Sequence, residues 1–181
     1  MAAAPLRRYA WAGAAVFAAA VIVALALHGR RPEPGLVRFE AAGVMLHIVP
    51  EHVREVRVTA GDRRWTFTRV AAGGWTVAGA AVASGDWTGR LESGLRFLHA
   101  SAPQSVMTRD ELAGTPAAEF GLDPPRYLVS VRAPDAEPFT VQFGSANPQG
   151  LAQYVRVAGR DELFLLPRFV GEPWEAVTGL R

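Results

Sequence analysis

The strongest constraint in this chain is an uncharged apolar run, Tyr9 to Leu27 (YAWAGAAVFAAAVIVALAL), bracketed by Arg7 and Arg8 before it and Arg30 and Arg31 after it. As a helix at about 1.5 Å per residue, the run reaches roughly 28 Å, the hydrocarbon thickness of a bilayer. Such a segment is expected to cross a membrane once, leaving the rest of the chain to fold as a separate body. Residues 1–31 then read as an N-terminal anchor with arginine flanks, 32–35 (Pro-Glu-Pro-Gly) as a stiff spacer, and 36–181 as one extracytoplasmic domain. The triplet Ala24-Leu25-Ala26 resembles a signal-peptidase site. The apolar core is longer than the roughly 7 to 15 residues of a cleaved signal, which favours an uncleaved anchor. Arginine pairs on both sides nearly balance the positive-inside rule. The free amine and Glu33 tip it toward an N-terminus inside and the domain outside.

Subtracting the anchor changes the electrostatics. All 19 basic residues are arginine, and from Pro32 onward 15 of them face 17 carboxylates, a formal charge of −2. A nucleic-acid binder is expected to carry a basic stripe. Here the arginines stand singly or in pairs among acids, which argues against nucleic acid as a partner. Without cysteine there is no disulfide framework, thiolate metal site or cysteine nucleophile.

The domain reads as α+β. Gly43 to Val49 suggests a strand; Glu55–Thr59 alternates Val56 and Val58 against Glu55, Arg57 and Thr59; a turn at Gly61-Asp62 leads to Arg64–Arg69 with Trp65 and Phe67 inward; Trp75-Thr76-Val77 adds a third strand. From Asp86 to Ala102 the period changes. Trp87, Leu91, Leu95, Leu98 and Ala102 make the apolar stripe of an amphipathic helix. Ser105–Thr108 suggests a short strand, Thr115-Pro116 a helical start, and Gly121 its glycine end. Alternation returns in Tyr127–Val131, Phe139–Phe143 and Gln153–Val157, then Leu163–Leu166, with a short closing helix over Arg168–Leu180. The expected fold is an antiparallel sheet of hairpins with one main helix packed on it. The segments VRVTAGDRRWTFT and VSVRAPDAEPFTV share a strand-turn-strand grammar, leaving open two related hairpin-plus-helix halves.

Chemistry-bearing residues do not converge. His47 and His52 are five apart across Pro50, not at helical metal-ligand spacing. The acid pairs Asp110-Glu111 and Asp161-Glu162 sit beside turns, where solvated carboxylates are usual. No serine lies in a G-x-S-x-G elbow, and the glycines form no phosphate-binding pattern. No cofactor, metal or catalytic residue is assigned. The tryptophans Trp65, Trp75, Trp87 and Trp174 are assigned to the core, with a Trp-lined ligand cleft as the alternative.

One set of short motifs carries a family resemblance. Glu119-Phe120-Gly121-Leu122-Asp123-Pro124-Pro125, a following strand, Phe143-Gly144, and Gln153-Tyr154-Val155-Arg156-Val157 resemble the domain-of-unknown-function 4340 family. The likeness covers roughly Val44 to Val177. Its structural motif comprises Gly121, Leu122, Asp123, Pro124, Pro125, Gly144 and Tyr154, in which Gly121 fits a left-handed helix end and the proline pair an extended exit into the strand. What the resemblance implies is a membrane-anchored bacterial envelope protein of unknown activity, with some relatives encoded beside ABC-type transport systems. The expected function is a non-enzymatic accessory or scaffold subunit with an envelope protein partner. A small-ligand module and a hydrolase with an unrecognised site are the alternatives.

Overall fold

The computed structural model describes residues 17–24, 43–83 and 85–180. The chain divides into two compact units, Met1–Glu40 and Ala41–Arg181. In the first, residues 17–24 are helical and exposed. Most of the expected membrane span, Tyr9 to Leu27, lies outside the described residues. Among the described residues no helix is long and apolar enough to cross a membrane.

The second unit is an eight-stranded, wholly antiparallel sheet with two helices. Its strands are β1 (Glu55–Ala60), β2 (Arg63–Arg69), β3 (Trp75–Gly79), β4 (Ser105–Met107), β5 (Tyr127–Arg132), β6 (Phe139–Ala146), β7 (Ala152–Val157) and β8 (Leu163–Pro167). Their spatial order is β3-β2-β1-β5-β6-β7-β8-β4. Two meanders therefore diverge from a central β1–β5 pair. Val56 pairs with Val131, Arg57 with Ser130 and Val58 with Val129, the reciprocal register a local two-fold axis produces. The same Arg57 and Ser130 coincide when the two echoing segments of the sequence are aligned. The symmetry stops at the edges, because β4 precedes β5 in the chain yet pairs with β8 at the far side.

One face of the sheet builds the core. Val56, Val58, Trp65, Phe67, Tyr127, Val129, Val131, Val141 and Phe143 are all fully buried, as strict alternation demands. Helix α1 (Trp87–Ala100) starts at Asp86, whose carboxylate accepts from Gly89 N at 2.8 Å, and lays Leu91, Leu95 and Leu98 on that face. Each fully buried leucine contributes about 1.5–3 kcal/mol. Ala102, expected on the helical stripe, falls beyond the helix end, where Pro103 follows. Helix α2 (Arg168–Thr178), the closing helix expected over Arg168–Leu180, ends at Gly179 and packs against α1. Gly94 permits this, since a methyl group there would lie 2.7 Å from the Trp174 ring.

The expected strand at Gly43–Val49 is instead a turn leading to a 3-10 turn, Pro50–His52. Val44, Met45 and Ile48 are buried while Leu46 and Val49 are exposed, a spacing no strand can satisfy. The turn is tied to α1: Met45 N donates to Leu98 O at 3.1 Å, and His99 Nδ1 lies 3.2 Å from Met45 O and 3.0 Å from Ile48 O.

Candidate functional site

The motif residues of the resemblance come together on the sheet face opposite the helices. A 3-10 turn, Ala117–Phe120, ends at Gly121 in the left-handed region, φ 64°. Phe120 then meets the Tyr154 ring edge-on, with centroids 5.0 Å apart. Gly144 lies against this turn: a methyl group on it would overlap the Phe120 carbonyl oxygen and sit 3.0 Å from Leu122 Cγ. Leu122 is buried, and it bridges to Pro125. The chain therefore reverses tightly through Asp123 and Pro124 rather than leaving extended as the proline pair suggested. Gly121, Leu122, Gly144 and Tyr154 thus form a packing joint that pins the β4–β5 connection across β6 and β7.

On the helical side, polar groups gather at the β5, β7 and α2 end. Glu175 is nearly buried and takes both Arg168 guanidinium nitrogens, with Nη1 at 2.9 Å from Oε1 and Nη2 on Oε2. Arg126 Nη1 stands 3.5 Å from the same Oε1. Arg168 Nη1 also donates to Gln153 Oε1 at 3.0 Å, and Gln153 Nε2 donates to Gly144 O at 2.9 Å. The Tyr127 hydroxyl donates to Gly171 O at 3.2 Å. Burial first, and then the charge of Glu175, push that phenol well above its ordinary value. Hydrogen bonding to Glu175 raises Arg168 in turn. Arginine and carboxylate therefore satisfy one another, and the tyrosine hydroxyl is taken up by Gly171 O.

A second cluster lies at the other wing. Arg69 Nη1 contacts Glu92 Oε1 at 2.9 Å, while its Nε and Nη2 donate to Val53 O at 2.8 Å and Pro50 O at 3.1 Å. Its guanidinium stacks 4.4 Å from the Trp75 ring, whose Nε1 donates to Glu92 Oε1 at 2.7 Å. This cluster clamps the 3-10 turn and α1 to the β2–β3 hairpin.

Among the described residues the tryptophans go to the core, with Trp87 packed partly buried against it. Trp65 and Trp174 are fully buried in the core, and Trp75 nearly so. A cleft of about 580 Å³ between α1 and α2 is floored by Phe97, Phe169 and Pro173, and one of about 440 Å³ beside the β7–β8 hairpin is lined by arginines and aspartates. Neither includes a tryptophan. His47 and His52 border a pocket of only about 60 Å³ with Asp135. Among the described residues no group of three His, Cys, Asp or Glu is placed to hold a metal ion. Of the acid pairs, Glu111 caps its own turn, accepting from Thr108 N at 2.7 Å and Thr108 Oγ1 at 2.9 Å, and these bonds lower its carboxyl. Asp110 and Asp161, distant in sequence, border the same arginine-rich cleft.

No protein-family model, curated protein or solved structure matches the chain. The sequence pattern does not single out Gln153, Arg168 and Glu175 as a group: Arg168 and Glu175 stand seven apart on one helix, but Gln153 and Arg126 reach them from other parts of the chain. A visible signal was Gln153, which sits where the inward alternation of β7 calls for an apolar residue.

Proposed function

We propose that the protein is a single-pass, membrane-anchored envelope protein. Its α+β domain lies in the periplasm and acts as a non-enzymatic accessory or scaffold subunit of an ABC-type transport or assembly complex. The observation that carries the non-enzymatic part is that the family-like residues Gly121, Leu122, Gly144 and Tyr154 build a packing joint, not a pocket. The inward-facing Tyr127, Gln153 and Glu175 likewise spend their polar atoms on neighbours. The membrane part is supported by the uncharged run Tyr9–Leu27 between arginine pairs. The transport part rests on the resemblance to the domain-of-unknown-function 4340 family.

Co-purification from the native host with the membrane preserved tests this reading. Recovery of a transporter or envelope component with the full chain is expected. Recovery of the protein alone overturns the scaffold role. A reporter fused after Arg181 is expected to be active outside the cytoplasm, and activity confined to the cytoplasm overturns the topology.

A further inference from the structure

On the sheet face away from the helices the strands carry more arginines than carboxylates, while Glu119 and Asp123 belong to the connection packed over it. Alternation and register put Arg57, Arg64, Arg132 and Arg156 on that face, with Glu55 as the carboxylate among these strands. At its β7–β8 end, the cleft of about 440 Å³ brings together three guanidinium groups from three places: Arg109 in the turn after β4, Arg156 on β7 and Arg160 in the β7–β8 turn. Asp110 and Asp161 also border it. Among the described residues, Arg109 alone of the three has a carboxylate in ion-pair range, Asp161 at 3.6 Å. That pair is weak, because both side chains are at least three-quarters exposed.

Two features make the arrangement a receiver rather than a solvated patch. Arg156 is half-buried on a paired strand, and the exposed Arg160 lies over the Phe164 ring, 5.8 Å from its centroid. Planar guanidinium forks match tetrahedral oxyanions in two-point contacts.

We propose that this cleft is a binding site for a phosphate-type oxyanion, held by Arg156 and Arg160, with Arg109 released from Asp161 to close on it. The proposal stands on the folded domain alone and holds whether or not a transport partner exists.

The test uses the full chain in nanodiscs of phosphatidylcholine, titrated with inorganic phosphate and with pyrophosphate while the arginine Nε–H resonances are followed. Saturable shifts are expected, with pyrophosphate binding more tightly. Arg156→Ala with Arg160→Ala should weaken binding by about tenfold or more. The double lysine variant should fall between, keeping charge without the fork. Arg63→Ala, outside the cleft, should leave the affinity unchanged. An unchanged backbone spectrum in each variant shows that folding is intact. A second titration in discs containing phosphatidylglycerol separates two sources of the same chemistry. Weaker apparent phosphate binding there identifies a lipid headgroup as the occupant, and unchanged binding identifies a soluble phosphate compound. Shifts that do not saturate, or that persist undiminished in the double alanine variant, overturn the proposal.

Discussion

The two wings of the sheet each close on an arginine–glutamate cluster, yet they solve different problems. At the β2–β3 wing, Arg69 and Glu92 sit at the margin of the core, and their side chains are 17% and 29% exposed. At the β5–β7 wing, Glu175 is 9% exposed and serves Arg168 and Arg126 together. The difference lies in the carboxylate: water reaches Glu92 but hardly reaches Glu175, although Arg168 and Arg126 are 23% and 34% exposed. The inner cluster therefore depends above all on Glu175, whereas the outer one fastens a turn.

The largest expected effect breaks the inner cluster. Glu175→Ala leaves the half-buried Arg168 without its bidentate acceptor and should cost about 3 kcal/mol, read from urea unfolding. Adding Arg168→Met should recover part of that loss, because the orphaned charge is then gone. Equal stability of the single and double variants would show that the cluster is not coupled. Next comes the joint behind it. Gly144→Ala drives a methyl group into the Phe120 carbonyl and should cost about 2 kcal/mol, with loss of the Phe120–Tyr154 contact visible as shifted aromatic resonances.

Tyr127 gives the inner wing a pH signature. Its folded pKa lies above its unfolded one, so its contribution is complete below the ordinary phenol value of about 10 and is lost as pH rises past it. Tyrosinate absorbance from Tyr127 should appear only as the domain unfolds in alkali. Tyr127→Phe should cost about 1 kcal/mol at neutral pH through the lost bond to Gly171 O, and it should remove this component of the alkaline loss. The smallest effect belongs to the outer wing. Glu92→Ala should cost about 1 kcal/mol or less, with faster amide exchange confined to the 3-10 turn and the β2–β3 hairpin. A loss as large as that of Glu175→Ala would erase the distinction between the wings.

Much of the fold was legible because its signals are local. Val56 and Val58, Trp65 and Phe67, and Tyr127, Val129 and Val131 alternate within single strands, and Leu91, Leu95 and Leu98 keep helical spacing within one helix. Gly43–Val49 misled because a run of apolar residues has no period of its own, and its burial depended on where Leu98 and His99 stood. The arginine-bearing sheet face was hidden for a similar reason. Arg57, Arg132 and Arg156 are isolated in sequence, and only strand register puts them on one side.

The sequence by itself determined the alternating strands, the stripe of α1, the left-handed turn at Gly121 and an uncharged run long enough to span a bilayer. Each follows from spacing or from the stereochemistry of one residue. Tertiary structure alone decided that Trp174 reaches Gly94, that Glu175 serves two arginines, and that Arg109, Arg156 and Arg160 share a cleft. Those outcomes depend on which distant elements become neighbours, and hydrophobic periodicity specifies a buried face without naming what it is buried against.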